Sequence, residues 1–393
     1  MPPKASPEES RRRPRIPRAG RTAGRKEGWA LELDRLGEFG LIRMLTAPVR
    51  GGAGVRVGIG DDAAVVVPRP GRDLLLTCDM VAEGIHFRRA WYEHQPERLG
   101  RKALAVNISD VAGMGGEPRF AVITLAAAPQ VPVEFLRRAY CGLADLAHEW
   151  GVSIVGGDTV RLESGLLLDV FLVGDVACGG ALLRSGARPD DLIVVTGEFG
   201  LSRAGLDLLD LKEQAGPPAA VTAEDRAAAV SRQLEPPVRL REAAALAGTS
   251  CLHALSDTSD GLANQVHLIC EASGVGAVVR EDQIPVSPVA GRVALARGAD
   301  ALSWALFGGE DYELIAAVAP ADWDRVQAAM TAAVAGSRLT VVGRFTPERD
   351  VVLERATGAR EQLAFAGWDH FRVSGTDGGP RAEAARDGEY GGS

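Results

Sequence analysis

GIGDDAAVVV, running from Gly58 to Val67, sets Asp61 and Asp62 side by side between a glycine pair and a valine run. Like charges repel, and the flanking residues have the composition of buried strand. Two arrangements reconcile these facts. A tight hairpin holds both acids in water, or both acids face a cation.

Working outward, the chain reads as mixed α/β. Upstream, Leu36, Phe39, Ile42 and Leu45 recur at helical spacing, and Pro48 stops that helix. β-rich runs follow at 55–59, 63–67 and 74–78. A helical pattern covers 96–111, then come a strand at 120–125, a helix at 133–150 and strands at 153–155 and 166–176. After LLRSGARPDD (182–191), a second half opens with a strand at 192–196. It continues with helices at 202–211, 223–234 and 238–246, a strand at 254–256 and a helix at 262–272. A strand at 312–318, a helix at 323–334 and a strand at 339–345 complete it. The expected organisation is a disordered basic extension (1–30), an N-terminal α/β domain (31–176), a C-terminal α/β domain (177–373) and a flexible tail (374–393). The stretch 214–220 reads as an exposed loop.

Composition narrows the class. With 393 residues, 46% of them hydrophobic, and mean hydropathy near zero, the chain is long enough for two packed cores. The longest apolar stretch, 165–183, is broken by Asp169 and Asp175, so no membrane span is expected. Five scattered cysteines without CxxC spacing fit free thiols in a reducing cytoplasm. Residues 1–28 carry nine basic and three acidic side chains, +6, so the total of −8 leaves −14 on the remainder. An arginine-rich arm can touch nucleic acid, but the acidic body argues against a nucleic-acid protein as such.

Acids recur beside turns. Asp61 and Asp62 follow the glycine pair, Asp79 is expected to end a strand, and Asp110 lies in NISD at a helix end. Asp158 in VGGDT is expected just after a strand; Asp257 and Asp260 in SDTSDGL lie between a strand and a helix. Glu310 and Asp311 in FGGEDYEL precede another strand. Each alone reads as a cap, an Asx-turn or a hairpin tip. Together, at element ends, they suggest one ligand crevice of an open α/β fold. So many carboxylates repel phosphate but suit Mg²⁺, which takes oxygen ligands and shares its shell with water and substrate phosphates. The GxxxxGK[ST] phosphate loop is absent, and no Ser-His-Asp or Cys-His arrangement is evident. Lys102 stands out as one of four lysines against forty arginines: a compact ammonium is needed there, or it is a chance lysine on a solvated helix face.

The motifs GEFGLI (37–42), GIGDDAAV (58–65), CDMVAEGIHF (78–87), RKALAVNISDVAGMGG (101–116), GGDT (156–159), LLRSGARPDD, SDTSDGL (256–262), FGGEDYEL (307–314) and GWDHF (367–371) occur in order. The chain thereby resembles the thiamine-monophosphate kinase family, whose fold is that of aminoimidazole ribonucleotide synthetase. GIHF and GWDHF favour that branch over the synthetases and hydrogenase maturation factors of the same fold. The resemblance implies a two-domain α/β (α+β) fold, with a mixed N-terminal sheet and a C-terminal α/β domain, and commonly a homodimer paired through N-terminal sheets. It implies ATP-dependent phosphorylation of thiamine monophosphate with several Mg²⁺ ions and no covalent nucleophile. Carried over by motif, Asp62, Asp79, Asp110, Asp158, Asp257 and Asp260 are metal ligands, with Cys78 where the family often has Ser or Thr, and Asp61 a weaker candidate. Tyr140, Gly157, Asp158, Arg184 and Ser259 bind ATP; His86, Glu310 and Trp368 bind thiamine monophosphate. Gln265 stands where many members carry Asp. Two rivals remain: another ATP-using synthetase of this fold, although no Cys precedes Cys78, and a non-catalytic nucleotide-binding protein.

Overall fold

The computed structural model describes residues 33–211 and 221–367. The expected basic arm (1–30), the loop 214–220, Trp368 and the tail 374–393 lie outside the described residues.

The N-terminal part opens with α1 (Leu33–Thr46) and a hairpin of β1 (Val55–Val57) and β2 (Val65–Val66). Then come β3 (Arg72–Ala82), α2 (Pro96–Gly113), β4 (Glu117–Ala127), α3 (Val133–Glu149), β5 (Ser153–Arg161) and β6 (Leu166–Ala177). β3, β6, β4 and β5 form a four-stranded sheet in that order, antiparallel except for the β4–β5 pair. The sheet is mixed, as expected. α1 corrects the expected helix face: Gly37 breaks the helical backbone at φ 66°, Leu41 and Leu45 face the core, and Phe39 is exposed.

The C-terminal part contains β7 (Leu192–Thr196), α4 (Leu201–Asp210), α5 (Ala223–Leu234), α6 (Leu240–Gly248), β8 (Leu252–Asp257) and α7 (Leu262–Ser273). It continues with β9 (Gly276–Arg280), α8 (Pro288–Arg297), α9 (Ala301–Phe307), β10 (Leu314–Val318), α10 (Trp323–Ala333), β11 (Leu339–Thr346), β12 (Val351–Glu354) and β13 (Arg360–Gln362). The seven-stranded sheet runs β13-β12-β9-β11-β7-β10-β8, with β12–β9 its one parallel pair. The Thr222 hydroxyl accepts from the Asp225 N–H to start α5, and Asp300 caps α9 the same way.

Helix α2 joins the two parts. Pro96 stands in its first turn, where a missing N–H leaves no bond unmade, and fourteen of its eighteen residues are buried. Glycines let it approach its neighbours closely. A Cβ on Gly100 would lie 1.8 Å from the Ala139 carbonyl oxygen of α3, and one on Gly113 would lie 2.9 Å from the Asp257 nitrogen of β8. Leu99, Leu104 and Ile108 pack into the N-terminal core, while Ala112 enters the cluster formed by β7, β8, β10 and α10. Among the described residues nothing covers the opposite face of the four-stranded sheet: Leu74, Leu76, Met80, Val122 and Phe171 are all exposed.

Candidate active site

Strand β3 alternates, so Thr77 and Asp79 point to one face and Cys78 to the other. The Thr77 hydroxyl donates to Asp110 Oδ2 in a short hydrogen bond. Asp110 lies in the last turn of α2, one turn after Asn107. Asn107 pins the strand: the Asp79 N–H donates to Asn107 Oδ1 at 2.9 Å, and Asn107 Nδ2 donates to the Asp79 carbonyl at 3.1 Å. From the C-terminal part, Asp257 ends β8 and is buried, its Oδ2 accepting from Ser109 Oγ at 2.6 Å. Asp260 follows in the loop before α7.

Electrostatics shows that these acids act on one another. Desolvation, then the Asp110, Asp260 and Asp169 charges, push the Asp79 carboxyl up. Asp79 keeps open surface, so the neighbouring charges are the firmer cause. Burial raises Asp110, with the Thr77 and Asp79 hydrogen bonds pulling it back. Burial and the Asp110 charge raise Asp257, opposed by Ser109 and by the Arg184 cation. Arg184 is exposed, and its Nε donates to Ser256 Oγ at 3.2 Å. Ser256 Oγ in turn donates to the buried Gln265 at 3.4 Å. The buried Tyr312 phenol feels burial first and then Glu310, Asp79, Asp257 and Asp260, all of which raise its pKa. Glu310 therefore belongs to the same neighbourhood as the aspartates.

Other expected residues lie differently. Asp61 and Asp62 are exposed in the segment that joins β1 to β2, where Asp61 Oδ1 accepts from the Asp62 N–H at 2.9 Å. Neither is among the main charges acting on Asp79, Asp110 or Asp257. Asp158 does not follow a strand: it sits inside β5, exposed, opposite Thr124, and its Oδ1 accepts from the Thr159 N–H at 2.8 Å. Asp79 likewise does not end β3, which continues to Ala82. Gly157 precedes Asp158 in the same strand, its backbone open to solvent. Cys78 Sγ donates to Asp169 Oδ1 at 3.2 Å on the outer face, and burial followed by that carboxylate pushes the thiol up to about 11. It stays a protonated thiol at neutral pH. Tyr140 is buried inside α3, which pushes its phenol up to about 12. His86 is half-buried in the turn after β3, with Nδ1 accepting from the Ala82 N–H at 3.1 Å. Ser259 is half-buried, and its carbonyl accepts from the Glu310 N–H at 2.6 Å.

Among the described residues, no three His, Cys, Asp or Glu side chains converge closely enough to hold a metal by themselves. Acceptor-only oxygens crowded against like charges nonetheless fit a hard divalent ion that completes its shell with water and phosphate oxygens. A cavity of about 520 Å³ lined by Pro48, Arg50, Asp145, His148 and Ser153, and one of about 360 Å³ lined by His267, Glu271, Arg349 and Phe365, include none of these acids.

Two family models match: the N-terminal domain of AIR synthase related proteins over residues 60–176, and their C-terminal domain over 188–355. The thiamine-monophosphate kinase of Bacillus subtilis is 36% identical over 287 residues, which is 73% of this chain and 85% of that protein. The chain belongs to the thiamine-monophosphate kinase family. Among solved structures, the family's enzyme from Stenotrophomonas maltophilia superposes with a TM-score of 0.70 at 32% identity, covering 84% of this chain and 98% of that one. AaThiL complexed with AMPPCP and TMP superposes at 0.66 and 31% identity, covering 87% and 99%. The sequence reading missed Thr77, Asn107, Ser109 and Asp169. A signal for two of them existed: Asn107 and Ser109 are polar residues set among the apolar ones of ALAVNISDVAG, in a helix with fourteen of eighteen residues buried.

Proposed function

We propose that the protein transfers the γ-phosphoryl group of ATP directly to thiamine monophosphate, giving thiamine diphosphate and ADP. An oxygen of the acceptor phosphate forms the new bond to phosphorus as the bond to the ADP oxygen breaks. A phosphate monoester is largely dianionic at neutral pH, so its oxygen needs little help from a base. Catalysis then rests on positioning and charge neutralisation. The observation that carries this reading is the gathering of Asp79, Asp110, Asp257 and Asp260 beside the Arg184 cation.

In this reading Asp79, Asp110, Asp257 and Asp260 hold Mg²⁺, with Asp62 and Asp158 reaching ions from the exposed side. Bound Mg²⁺ would neutralise the phosphate charge that these carboxylates otherwise repel. Arg184, Gly157, Ser259 and Tyr140 serve ATP, while His86, Glu310 and Trp368 serve the organic half of the acceptor. A second copy of the chain covers the exposed Leu74, Leu76, Met80 and Phe171 face, giving a homodimer. Free cysteines, and no helix among the described residues long and apolar enough to cross a membrane, suit a cytoplasmic enzyme. Incubation with γ-labelled ATP, MgCl₂ and thiamine monophosphate tests the reading. Label must appear in thiamine diphosphate and none on the protein. Label trapped on protein when the acceptor is withheld refutes direct transfer, and ATP binding without turnover refutes the kinase.

A further inference from the structure

Lys102 is 1% exposed, a buried ammonium in the middle of α2. Burying such a charge is unfavourable unless it is paired and hydrogen-bonded. Its Nζ lies 2.9 Å from Glu310 Oε1 and donates to the Gln233 carbonyl at 3.2 Å. The other Glu310 oxygen, Oε2, accepts a short hydrogen bond from the Gln233 side-chain amide. Gln233 is itself buried and fixed, its Oε1 accepting from Ser202 Oγ at 2.5 Å. Both oxygens of Glu310 are therefore held from below, one by the N-terminal part and one by α5. The Glu310 side chain still keeps 26% of its surface.

The backbone at this carboxylate is held as firmly. Glu310 has φ 57° and Tyr312 φ 49°, left-handed conformations that side-chain-bearing residues adopt only where the surroundings enforce them. The enforcement is visible. Asp311 accepts from the Gly200 N–H at 2.9 Å, and the fully buried Glu313 takes Arg232 at 3.0 Å and Arg239 at 2.6 Å. A merely structural ion pair does not need such a loop at its tip.

We infer that Lys102 and Gln233 are positioning residues that fix the Glu310 carboxylate for the nitrogen-rich organic half of the acceptor. The inference rests on the reading of Glu310 as a substrate contact. Lys102 lies too deep to touch the substrate and acts through Glu310. Holding both oxygens from one side fixes the outward lone pairs, which then accept N–H donors at a set angle. The paired ammonium also offsets the Glu310 charge, so that the aspartates remain the stronger attraction for a divalent ion.

The test is steady-state kinetics on Lys102→Met, Glu310→Ala and the double variant, each with KM for both substrates. Lys102→Met is expected to raise KM for thiamine monophosphate about tenfold or more, the scale of a lost charge-assisted hydrogen bond, and to leave KM for ATP within about twofold. Glu310→Ala should do the same, and the double variant should be no worse than Glu310→Ala alone. If Glu310→Ala raises that KM but Lys102→Met does not, or if the two effects multiply, the positioning role is overturned while the substrate contact stands. If Glu310→Ala leaves the KM unchanged, the substrate reading itself fails and the inference falls with it. Should Lys102→Met not fold, Gln233→Met, which removes the second holding group, is judged by the same criteria.

Discussion

The close crossing of α2 and α3 permits a worked perturbation, Gly142→Ala. A Cβ on Gly142 would lie 2.0 Å from the Glu97 carbonyl oxygen, where ordinary contact needs about 3.5 Å. The obstacle is backbone, so no side chain can swing aside, and the helices must part by about 1.5 Å. Leu99, Leu104, Phe135, Leu136 and Leu143 of these two helices share one apolar cluster. Full burial of such a side chain is worth about 1.5–3 kcal/mol, and a gap of up to about 1 Å already forfeits a quarter to a half of the contact attraction. With two or three of these side chains affected, the loss is about 3 kcal/mol. Replacing a mid-helix glycine by alanine returns about 1 kcal/mol. The net expectation is about 2 kcal/mol of destabilisation, within the range of overpacked cores. Urea denaturation measures it, with Gly248→Ala as control, since nothing lies within 4 Å of a Cβ there. Because α2 is held on its other sides by the sheet and by β8, α3 should yield, and kcat below the transition should stay near wild type. A Gly142→Ala protein as stable as the control would refute the close-packing argument.

Three further outcomes are expected. Asp110→Asn lowers kcat/KM by about 10²-fold or more without loss of folding, and excess chelator stops the wild-type enzyme; undiminished turnover in either case removes the metal assignment. Burial pushes the Asp311 carboxyl up to about 7, so the folded protein keeps a proton that the unfolded chain releases near pH 4. Its contribution to stability therefore falls as pH rises through that interval, and Asp311→Asn should gain on the wild type by on the order of 3 kcal/mol between pH 5 and 8; parallel denaturation curves would contradict this. Leu76→Asp, placed at a side chain 63% exposed on the uncovered sheet face, should turn a dimer into a monomer by sedimentation equilibrium, and an unchanged mass rules that face out.

Much of this fold could be read from periodicity. The strand at 192–196 and the helix at 223–234 match β7 and α5 residue for residue, and α2 and α3 deviate by two residues or fewer. What escaped was short or lacked contrast: β9, α8, α9, β12 and β13 are three to ten residues long, and α8 pairs apolar residues with glycine and arginine in no clear stripe. Strand ends were misjudged where glycine and acid residues interrupt the apolar run. β5 continues through Gly156, Gly157 and Asp158 because its ladder to β4 persists to Ala127 and Arg161, whatever the side chains. Backbone pairing outweighed composition there.

The acid site follows from a different cause than the one the sequence suggested. Loop ends of a parallel sheet would have collected carboxylates at one edge, but the larger sheet here is almost wholly antiparallel and Asp79 lies mid-strand. Helix α2 does the collecting. Its residues Asn107, Ser109 and Asp110 engage Asp79, Asp257 and Thr77, so one buried helix ties a strand of each sheet to the same point. The i, i+3 spacing of Asn107 and Asp110 turns both toward β3, while Ser109, displaced around the helix, reaches β8. Lys102, two turns earlier, carries the same helix to Glu310. These four contacts share one rigid element, so the spacing between the side chains that reach Asp79, Asp257 and Thr77 and the one that reaches Glu310 is set by helical rise. Under the proposed direct transfer between two bound phosphates, such fixed spacing would supply position, and the chemistry asks for little beyond position and charge.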